Sequence, residues 1–208
     1  MGCTDTYKER LMIQDKLKNI SIILGSKSPR RKELLASMDI AFEVEVKETD
    51  ESYDPTLSAV EIVKYIAETK LSAFDREHYF DKLLICADTI VVDEQGDVLG
   101  KPADLEEAKE VIKRLAGKSH RVYTAVALAY QDQKVSFVEE TTVWVNHLSN
   151  EEIDYYVERY KPLDKAGSYG IQEWIGRVGI NKIIGSYENV IGLPTARLQQ
   201  ELKVVFSI

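Results

Sequence analysis

Residues 21–37 read SIILGSKSPRRKELLAS and join a short apolar run, a serine-rich turn and a segment with helical spacing. The run Ser21–Leu24 predicts a β-strand. Ser28 is typical of a helix N-cap, and Pro29 suits the first turn of a helix that continues from Arg30 to Ser37. Such a strand–turn–helix unit is typical of folds in which strands and helices alternate.

Three cations, Arg30, Arg31 and Lys32, stand in the first turn of that predicted helix. A helix N-terminus already carries partial positive charge, so cations there are unfavourable unless an anion binds beside them. Unpaired backbone N–H groups, the hydroxyls of Ser26 and Ser28 and two guanidinium groups together suit a phosphate. The turn has neither the P-loop nor the dinucleotide-binding glycine pattern. A solvated basic turn is the alternative.

An aspartate interrupts the apolar run Leu83–Val92, within the sequence CADTI of residues 86–90. An ionised carboxylate is costly to bury in a strand unless it is paired or binds a metal. Asp88 is therefore a candidate metal ligand or general base, and a structural aspartate bonded to backbone amides is the alternative. The turn at residues 95–97 predicts a hairpin that returns Lys101 to the same end of the sheet as Asp88. There the lysine could meet a phosphate. A surface lysine in a turn is the other interpretation.

A third candidate stretch reads DKAGSYGIQ over residues 164–172. Its glycines and serine permit close backbone approach to a ligand, and the Gln172 amide can both donate to and accept from a base edge. A plain flexible loop is the alternative. The three histidines, His78, His120 and His147, show neither zinc-ligand spacing nor the order of a catalytic triad, so we expect them to be surface or packing residues.

The rest of the chain predicts a mixed α/β fold, because strands alternate with helices and with hairpins. Residues 164–189 are predicted to be mostly irregular, and a strand is predicted at Asn189–Ile191. The remaining predicted elements are strands at Phe42–Val46, Leu83–Val92, Arg121–Tyr130 and Lys134–Asn146, and helices at Ala59–Leu71, Asp104–Ala116, Ser149–Tyr160 (opened by a capping box) and Thr195–Leu202.

Composition limits the function classes. The 208-residue chain has a formal net charge of −8, which argues against a broad nucleic-acid-binding surface but not against a local phosphate site. It has no apolar run near the ~20 residues that span a bilayer, and no signal-peptide pattern, so no membrane partner is expected. Two cysteines, Cys3 and Cys86, make no disulfide framework. We therefore expect a cytoplasmic protein.

The N-terminus matches a short acylation pattern. Met1–Thr6 fits N-myristoylation, with Cys3 as a second acylation site. No polybasic patch adjoins it, so an ordinary N-terminus leading into a short helix at Tyr7–Leu17 is preferred.

Several motifs follow one another along the chain: GSKSPRR (25–31), Asp50-Glu51, Lys70, ADT (87–89), GKP (100–102), DKAGSYGIQ (164–172) and VIGLP (190–194). In this order they resemble the motifs of the Maf family of nucleoside triphosphate pyrophosphatases, first described as septum-formation inhibitors. The resemblance runs from about Ile20 to Leu202, so residues 1–19 are predicted to be an N-terminal extension and residues 20–208 a single domain.

The resemblance implies a mixed sheet flanked by helices, in two lobes around a long cleft, as in Maf and inosine-triphosphatase-like folds. It implies hydrolysis between the α and β phosphates with a divalent cation, magnesium or manganese. Asp88 would accept the proton, Glu51 would be the second carboxylate, and both would hold the metal. The other implied site residues are the catalytic lysines Lys70 and Lys101 and the substrate-binding residues Ser26, Ser28, Arg30, Arg31, Thr89, Lys165 and Gln172.

Three positions indicate the branch of the family. Arg31, Thr89 and Gln172 are the residue types found in the branch that acts on dTTP and UTP, and the branch that acts on 7-methyl-GTP differs there. The expected role is clearance of the nucleotide pool, including modified pyrimidine nucleotides, and the resemblance leaves a homodimer open. A 7-methyl-GTP pyrophosphatase and a nucleotide-binding regulator of cell division without significant turnover remain the alternatives.

Overall fold

A computed structural model describes residues 12–208. Residues 1–11, with Cys3 and the acylation pattern, lie outside the described residues, so the helix predicted at Tyr7–Leu17 is described only in its last part, α1 (Ile13–Leu17). Ile13 is fully buried and Leu17 nearly so, both against the apolar core. The domain boundary at residue 20 stays a prediction.

Within residues 12–208, seven strands form one mixed sheet. Its strands are β1 (Ser21–Leu24), β2 (Glu43–Val44), β3 (Lys82–Val92), β4 (Val98–Leu99), β5 (Ser119–Tyr130), β6 (Gln133–Val145) and β7 (Ile180–Ile184). The spatial order is β2-β1-β3-β5-β6-β7, and β4 pairs with the end of β3. β1 is parallel to β2 and β3, whereas the other pairs are antiparallel. The mixed α/β prediction is confirmed.

Helices cover both faces of the sheet. After α1 they are α2 (Pro29–Ala36), α3 (Ala59–Ser72), α4 (Leu105–Leu115), α5 (Asn150–Tyr160), α6 (Trp174–Val178), α7 (Tyr187–Ile191) and α8 (Thr195–Val205), with a short 3-10 helix at Ala166–Ser168. The Ser28 hydroxyl caps α2, and the capping box of Ser149 and Glu152 opens α5, both as predicted. Within residues 12–208, no helix is both long and apolar enough to cross a bilayer.

The core of the described residues forms three apolar clusters, which the alternating side chains of β3 place on two faces of the sheet. Leu84 and Cys86 point to the face covered by α3. On the opposite face, Leu83 and Ile85 pack with α1, α2 and α8, while Val91, nearer the end of the strand, packs with α4 and α5. Two apolar clusters therefore share one face of the sheet, one at each end of its long strands.

A row of polar side chains lies between those two clusters. Thr89 and Thr124 are cross-strand partners whose hydroxyls are 2.9 Å apart, and Thr124 donates to the backbone oxygen of Asn189 at 3.0 Å. The Asn189 amide donates to Thr141 at 2.9 Å and to the backbone oxygen of Val122 at 3.1 Å. Because this row interrupts the apolar face, the two clusters remain separate. The division into two lobes stays a prediction.

The segment predicted to be irregular contains more structure than expected. Residues 164–189 include the 3-10 helix, α6, β7 and the start of α7. The strand predicted at Asn189–Ile191 is wrong, because these residues are the last turn of α7, which Ser186 caps. β7 already occupies the outer edge of β6, so residues 189–191 have no strand edge to join there. The strand predicted at Phe42–Val46 is real but covers only Glu43–Val44.

Candidate active site

A cleft of about 560 Å³ opens where the polar row meets the ends of β1 and β4. It is lined by seven cationic side chains and four carboxylates, in a chain whose net charge is −8. All eleven predicted site residues line it: Ser26, Ser28, Arg30, Arg31, Glu51, Lys70, Asp88, Thr89, Lys101, Lys165 and Gln172. The cleft is therefore a local positive site on an acidic protein, which suits an anionic ligand.

Parallel pairing with β3 fixes the turn between β1 and α2. Gly25 donates its N–H to the Ile85 oxygen at 2.8 Å, so this turn begins beside Ile85, which lies three residues before Asp88 on β3. A Cβ added at Gly25 would stand 2.5 Å from the Cys86 sulfur, so only glycine fits there without movement. Burial raises the pKa of the Cys86 thiol to about 12, and it stays protonated as a packing residue.

The Arg31 guanidinium is half-buried at the cleft and is held by three hydrogen bonds. Its Nε donates to the Gly192 oxygen at 2.8 Å, its Nη1 to the Ser26 hydroxyl at 3.2 Å and its Nη2 to the Thr89 hydroxyl at 2.9 Å. Burial lowers the pKa of Arg31, and the nearby Asp88 charge opposes that shift. Arg31 thus ties the β1–α2 turn, β3 and the end of α7 together.

One ammonium group joins the two predicted carboxylates. Lys70, in the last turn of α3, places its Nζ 2.7 Å from Asp88 Oδ1 and 3.1 Å from Glu51 Oε1. Asp88 faces α3 because it follows the alternation of Leu84 and Cys86 along β3. The Asp88 and Lys70 side chains are 14% and 18% exposed, and the Glu51 side chain is 49% exposed. The carboxylates are therefore held beside one cation at the cleft wall.

A second cluster of ion-paired side chains lies on another wall of the cleft. Asp164 accepts from Arg30 Nη1 at 2.6 Å and from Lys165 Nζ at 2.8 Å, and Lys165 also lies 3.2 Å from Glu173 Oε1. Burial raises the pKa of Asp164, but hydrogen bonds from Lys165 and Arg30 outweigh it and lower that pKa to about 2. These ion pairs join α2 to the segment after α5.

Gln172 differs from these charged residues. Its side-chain oxygen is buried and has no hydrogen-bond partner within the part of the chain that the structure describes. A buried acceptor without a partner is costly in a folded protein, and a ligand in the cleft could satisfy it. Behind it, Tyr169 bonds the His120 ring at 2.7 Å. Of the three histidines, His120 is the buried one, and it packs against this wall as expected.

Sequence reasoning missed three residues of this site. Lys47 lines the cleft, paired with Glu45 at 2.7 Å, in a segment without any motif. Glu173 directly follows Gln172, but its contacts with the wall depend on tertiary structure. Asn189 has no exposed surface and directly precedes the apolar pair Val190 and Ile191, and no sequence motif included it.

Glu51 and Asp88 could also hold a metal ion. Residues 12–208 contain no group of three or more histidine, cysteine or acidic side chains arranged as a metal site. A divalent ion of the magnesium type needs fewer protein ligands, because it is commonly bound by one or two carboxylates, water and substrate phosphates. Two carboxylates that already share one cation fit that donor set.

Comparisons with known proteins identify the family of this chain. The family model described as Maf-like protein matches residues 21–205. The chain is 48% identical over 190 residues to a dTTP/UTP pyrophosphatase of Parabacteroides distasonis, covering 91% of this chain and 98% of the relative. It is 49% identical over 190 residues to a protein of the same name in Phocaeicola vulgatus, with the same coverage.

Among solved structures, the Staphylococcus aureus Ham1 protein aligns with a TM-score of 0.48 and 14% identity over 89% of this chain and 99% of that one. The family assignment rests on the sequence matches, which extend over nearly all of the described chain. The protein belongs to the Maf-like protein family.

Proposed function

We propose that this protein is a nucleoside triphosphate pyrophosphatase that hydrolyses dTTP and UTP to the nucleoside monophosphate and pyrophosphate. The observation that carries the proposal is the contact of Glu51, Lys70 and Asp88 beside a cationic turn in one cleft. The names of the two relatives, each nearly half identical to this chain, support the same reaction and the same two substrates.

The phosphate chain would bind along the β1–α2 turn. The first N–H groups of α2 and the hydroxyls of Ser26 and Ser28 are donors for phosphate oxygens. Arg30, Lys101 and Lys165 add positive charge along the cleft. A triphosphate brings up to four negative charges, so these cations offset the repulsion that its own oxygens and the site carboxylates would cause.

Asp88 is suited to accept a proton from the attacking water. In the reaction, the water oxygen bonds to the α-phosphorus, and the bond from that phosphorus to the bridging oxygen breaks. Pyrophosphate leaves with the bridging oxygen, and the water proton passes to the Asp88 carboxylate. The ammonium groups of Lys70 and Lys101 would stabilise the charge that develops on the transferred and leaving groups.

Glu51 and Asp88 would bind magnesium or manganese together with oxygens of the bound phosphates. The ion supplies positive charge that neutralises the phosphate oxygens during hydrolysis. Without the ion, Lys70 is the counterion of both carboxylates.

Gln172 would recognise the base of the nucleotide. Its buried side-chain oxygen can accept the N3–H of uracil or thymine, and its amide nitrogen can donate to a carbonyl oxygen of the same base edge. Arg31 and Thr89 would keep the floor of the cleft in place through their mutual hydrogen bond. If the base lacks this N–H, the Gln172 oxygen has no donor to accept from, so such a base binds less well.

Release of pyrophosphate from dTTP, UTP, CTP, dATP, GTP and 7-methyl-GTP, with magnesium or manganese, tests the proposal. We expect fast release from dTTP and UTP. This release should be lost in Asp88→Asn and in Glu51→Gln. The surface variants Asp132→Asn and Glu158→Gln are matched controls that should keep the parent rate. Release mainly from 7-methyl-GTP would keep the reaction and refute the substrate. Binding without turnover on any nucleotide would favour a regulator.

The wider setting is also proposed here. A chain that removes particular triphosphates suits clearance of the cytoplasmic nucleotide pool, including modified pyrimidine nucleotides. Residues 20–208 would form the single catalytic domain, as a monomer or a homodimer. Turnover of a protein that starts at residue 20 tests the boundary, and the burial of Ile13 predicts that its melting temperature falls.

A further inference from the structure

Glu173 ends a series of contacts that runs along one wall of the cleft, from the phosphate-binding turn to Gln172. Arg30 binds Asp164, Asp164 binds Lys165, and Lys165 lies 3.2 Å from Glu173 Oε1. The Lys165 side chain is 9% exposed and that of Glu173 is 18% exposed. The ion pair between them is therefore largely shielded from water, where such contacts are stronger than at an open surface.

The other oxygen of Glu173 accepts the hydroxyl of Tyr156, a residue of α5 with no exposed surface. Burial raises the pKa of Tyr156, so its hydroxyl stays protonated and donates. The same phenol oxygen accepts the N–H of Gly170 at 2.9 Å. A Cβ at Gly170 would lie 2.8 Å from the Glu173 carboxyl carbon, so the carboxylate is packed directly on that glycine.

Gln172 lies inside this arrangement. Glu173 donates its backbone N–H to the Gly170 oxygen at 3.0 Å, which closes a tight turn over residues 170–173. Gly170 on one side of Gln172 is fixed by Tyr156, and Glu173 on the other side is fixed by Tyr156 and Lys165. The backbone of Gln172 is thus held from both directions by one carboxylate and its partners.

Discrimination between pyrimidines by a glutamine depends on which way its side-chain amide points. Its amide can turn by half a rotation and then exchange its acceptor for a donor. One orientation fits the N3–H of uracil or thymine, and the opposite orientation fits the N3 and amino group of cytosine. In the structure the Gln172 oxygen is the buried, unpartnered atom of the amide. A fixed backbone does not itself stop the amide from turning, but it keeps the amide in the surroundings that select one orientation. A displaced Gln172 would turn more freely and serve both bases.

We propose that Glu173 is a positioning residue that gives the enzyme its preference for uracil and thymine over cytosine. It acts through Gln172 and does not touch the base. The inference rests on the proposed function, because it assumes that Gln172 contacts the base of a bound nucleotide.

Glu173→Gln tests this inference, because it keeps the size of the side chain and removes the charge that holds Lys165. We expect kcat/KM for UTP, divided by kcat/KM for CTP, to fall by about tenfold or more. The melting temperature should fall only slightly, because Lys165 keeps its ion pair with Asp164 and Tyr156 can still donate to the amide oxygen of the new glutamine. Glu158→Gln, an exposed change of the same type on α5, should leave the ratio as it is. A purely structural role would lower both values of kcat/KM alike.

Tyr156→Phe alters the same turn through a different residue, and it is the second test if Glu173→Gln does not fold. It removes the hydroxyl that both Gly170 and Glu173 use, and it should lower the UTP-to-CTP ratio in the same direction. Tyr155→Phe, at the exposed neighbouring position, is its control. An unchanged ratio in the folded variants, or equal losses for both nucleotides, would overturn the inference.

The parent protein separates the two possible failures. If it turns over UTP but the ratio does not move in the variants, the role of Glu173 is wrong and the proposed function stands. If it turns over no nucleotide, the proposed function fails. Calorimetric Kd values for non-hydrolysable UTP and CTP analogues then give the ratio that decides the role of Glu173.

Discussion

The Arg31 guanidinium donates to the Thr89 hydroxyl at 2.9 Å, across 58 positions of sequence, and its other nitrogens bond Ser26 and the Gly192 oxygen. Three directional bonds from one planar group connect three segments of the cleft floor. An arginine at the start of a helix, where its charge is locally unfavourable, therefore has a structural use in addition to the proposed attraction for phosphate.

Arg31→Lys should keep the charge and lose most of this arrangement, because an ammonium group cannot reproduce three planar contacts. We expect kcat/KM for dTTP to fall by about 100-fold, corresponding to ~2.7 kcal/mol. Steady-state kinetics measure it. Lys32→Arg, beside it on α2, is the control. Parent-like kinetics in Arg31→Lys would show that charge alone suffices.

Lys70→Met should leave Glu51 and Asp88 side by side without their shared cation. Removing one partner of a partly buried ion pair leaves uncompensated charge, so the melting temperature should fall. Magnesium should then raise the melting temperature of the variant more than that of the parent, because the ion replaces the missing charge. Differential scanning fluorimetry with and without magnesium measures this. Equal shifts in both proteins would argue against metal binding by these carboxylates.

Gly25→Ala should destabilise the protein, because the new Cβ would stand 2.5 Å from the Cys86 sulfur. Overpacking of this kind costs about 1–3 kcal/mol. Gly25→Ala combined with Cys86→Gly removes the clash, so the double variant should be more stable than the sum of the single effects predicts. Denaturant unfolding of all four proteins measures the coupling. Additive effects would mean that the Cys86 contact does not set the requirement for glycine.

Stability should decline as the pH falls from about 6.5 towards 4, partly through His120. Burial lowers its pKa to about 4, so between these values the unfolded chain binds a proton that the folded chain excludes. The contribution of His120 to the free energy of unfolding is complete above the pKa that this histidine has in the unfolded chain. It is lost as the pH falls to the pKa in the folded protein, and it amounts to about 3 kcal/mol at most.

Urea unfolding at pH 7 and pH 4.5 measures this dependence. His120→Gln should flatten it, although that variant is less stable at neutral pH. His147→Gln, at an exposed position, should follow the parent. The same pH dependence in His120→Gln would assign the effect to other groups.

Local sequence determined the parts of this protein that depend on neighbouring residues. Ser28 with Pro29, and Ser149 with Glu152, start helices because their side chains bond N–H groups only a few positions away. The apolar run around Asp88 gave a buried strand for a similar reason. The motif residues could be named as one site because they match a family pattern, although they are dispersed over residues 26–172.

Tertiary structure alone decided how these residues meet. Asn189–Ile191 has the composition of a strand, yet it is helical, since β7 occupies the edge it would need and Asn189 bonds three polar groups of β5 and β6. The contact of Lys70 with both carboxylates, and that of Glu173 with Lys165 and Tyr156, join residues whose sequence spacing carries no signal. Such long-range contacts depend on the packing of complete elements, which no local pattern specifies.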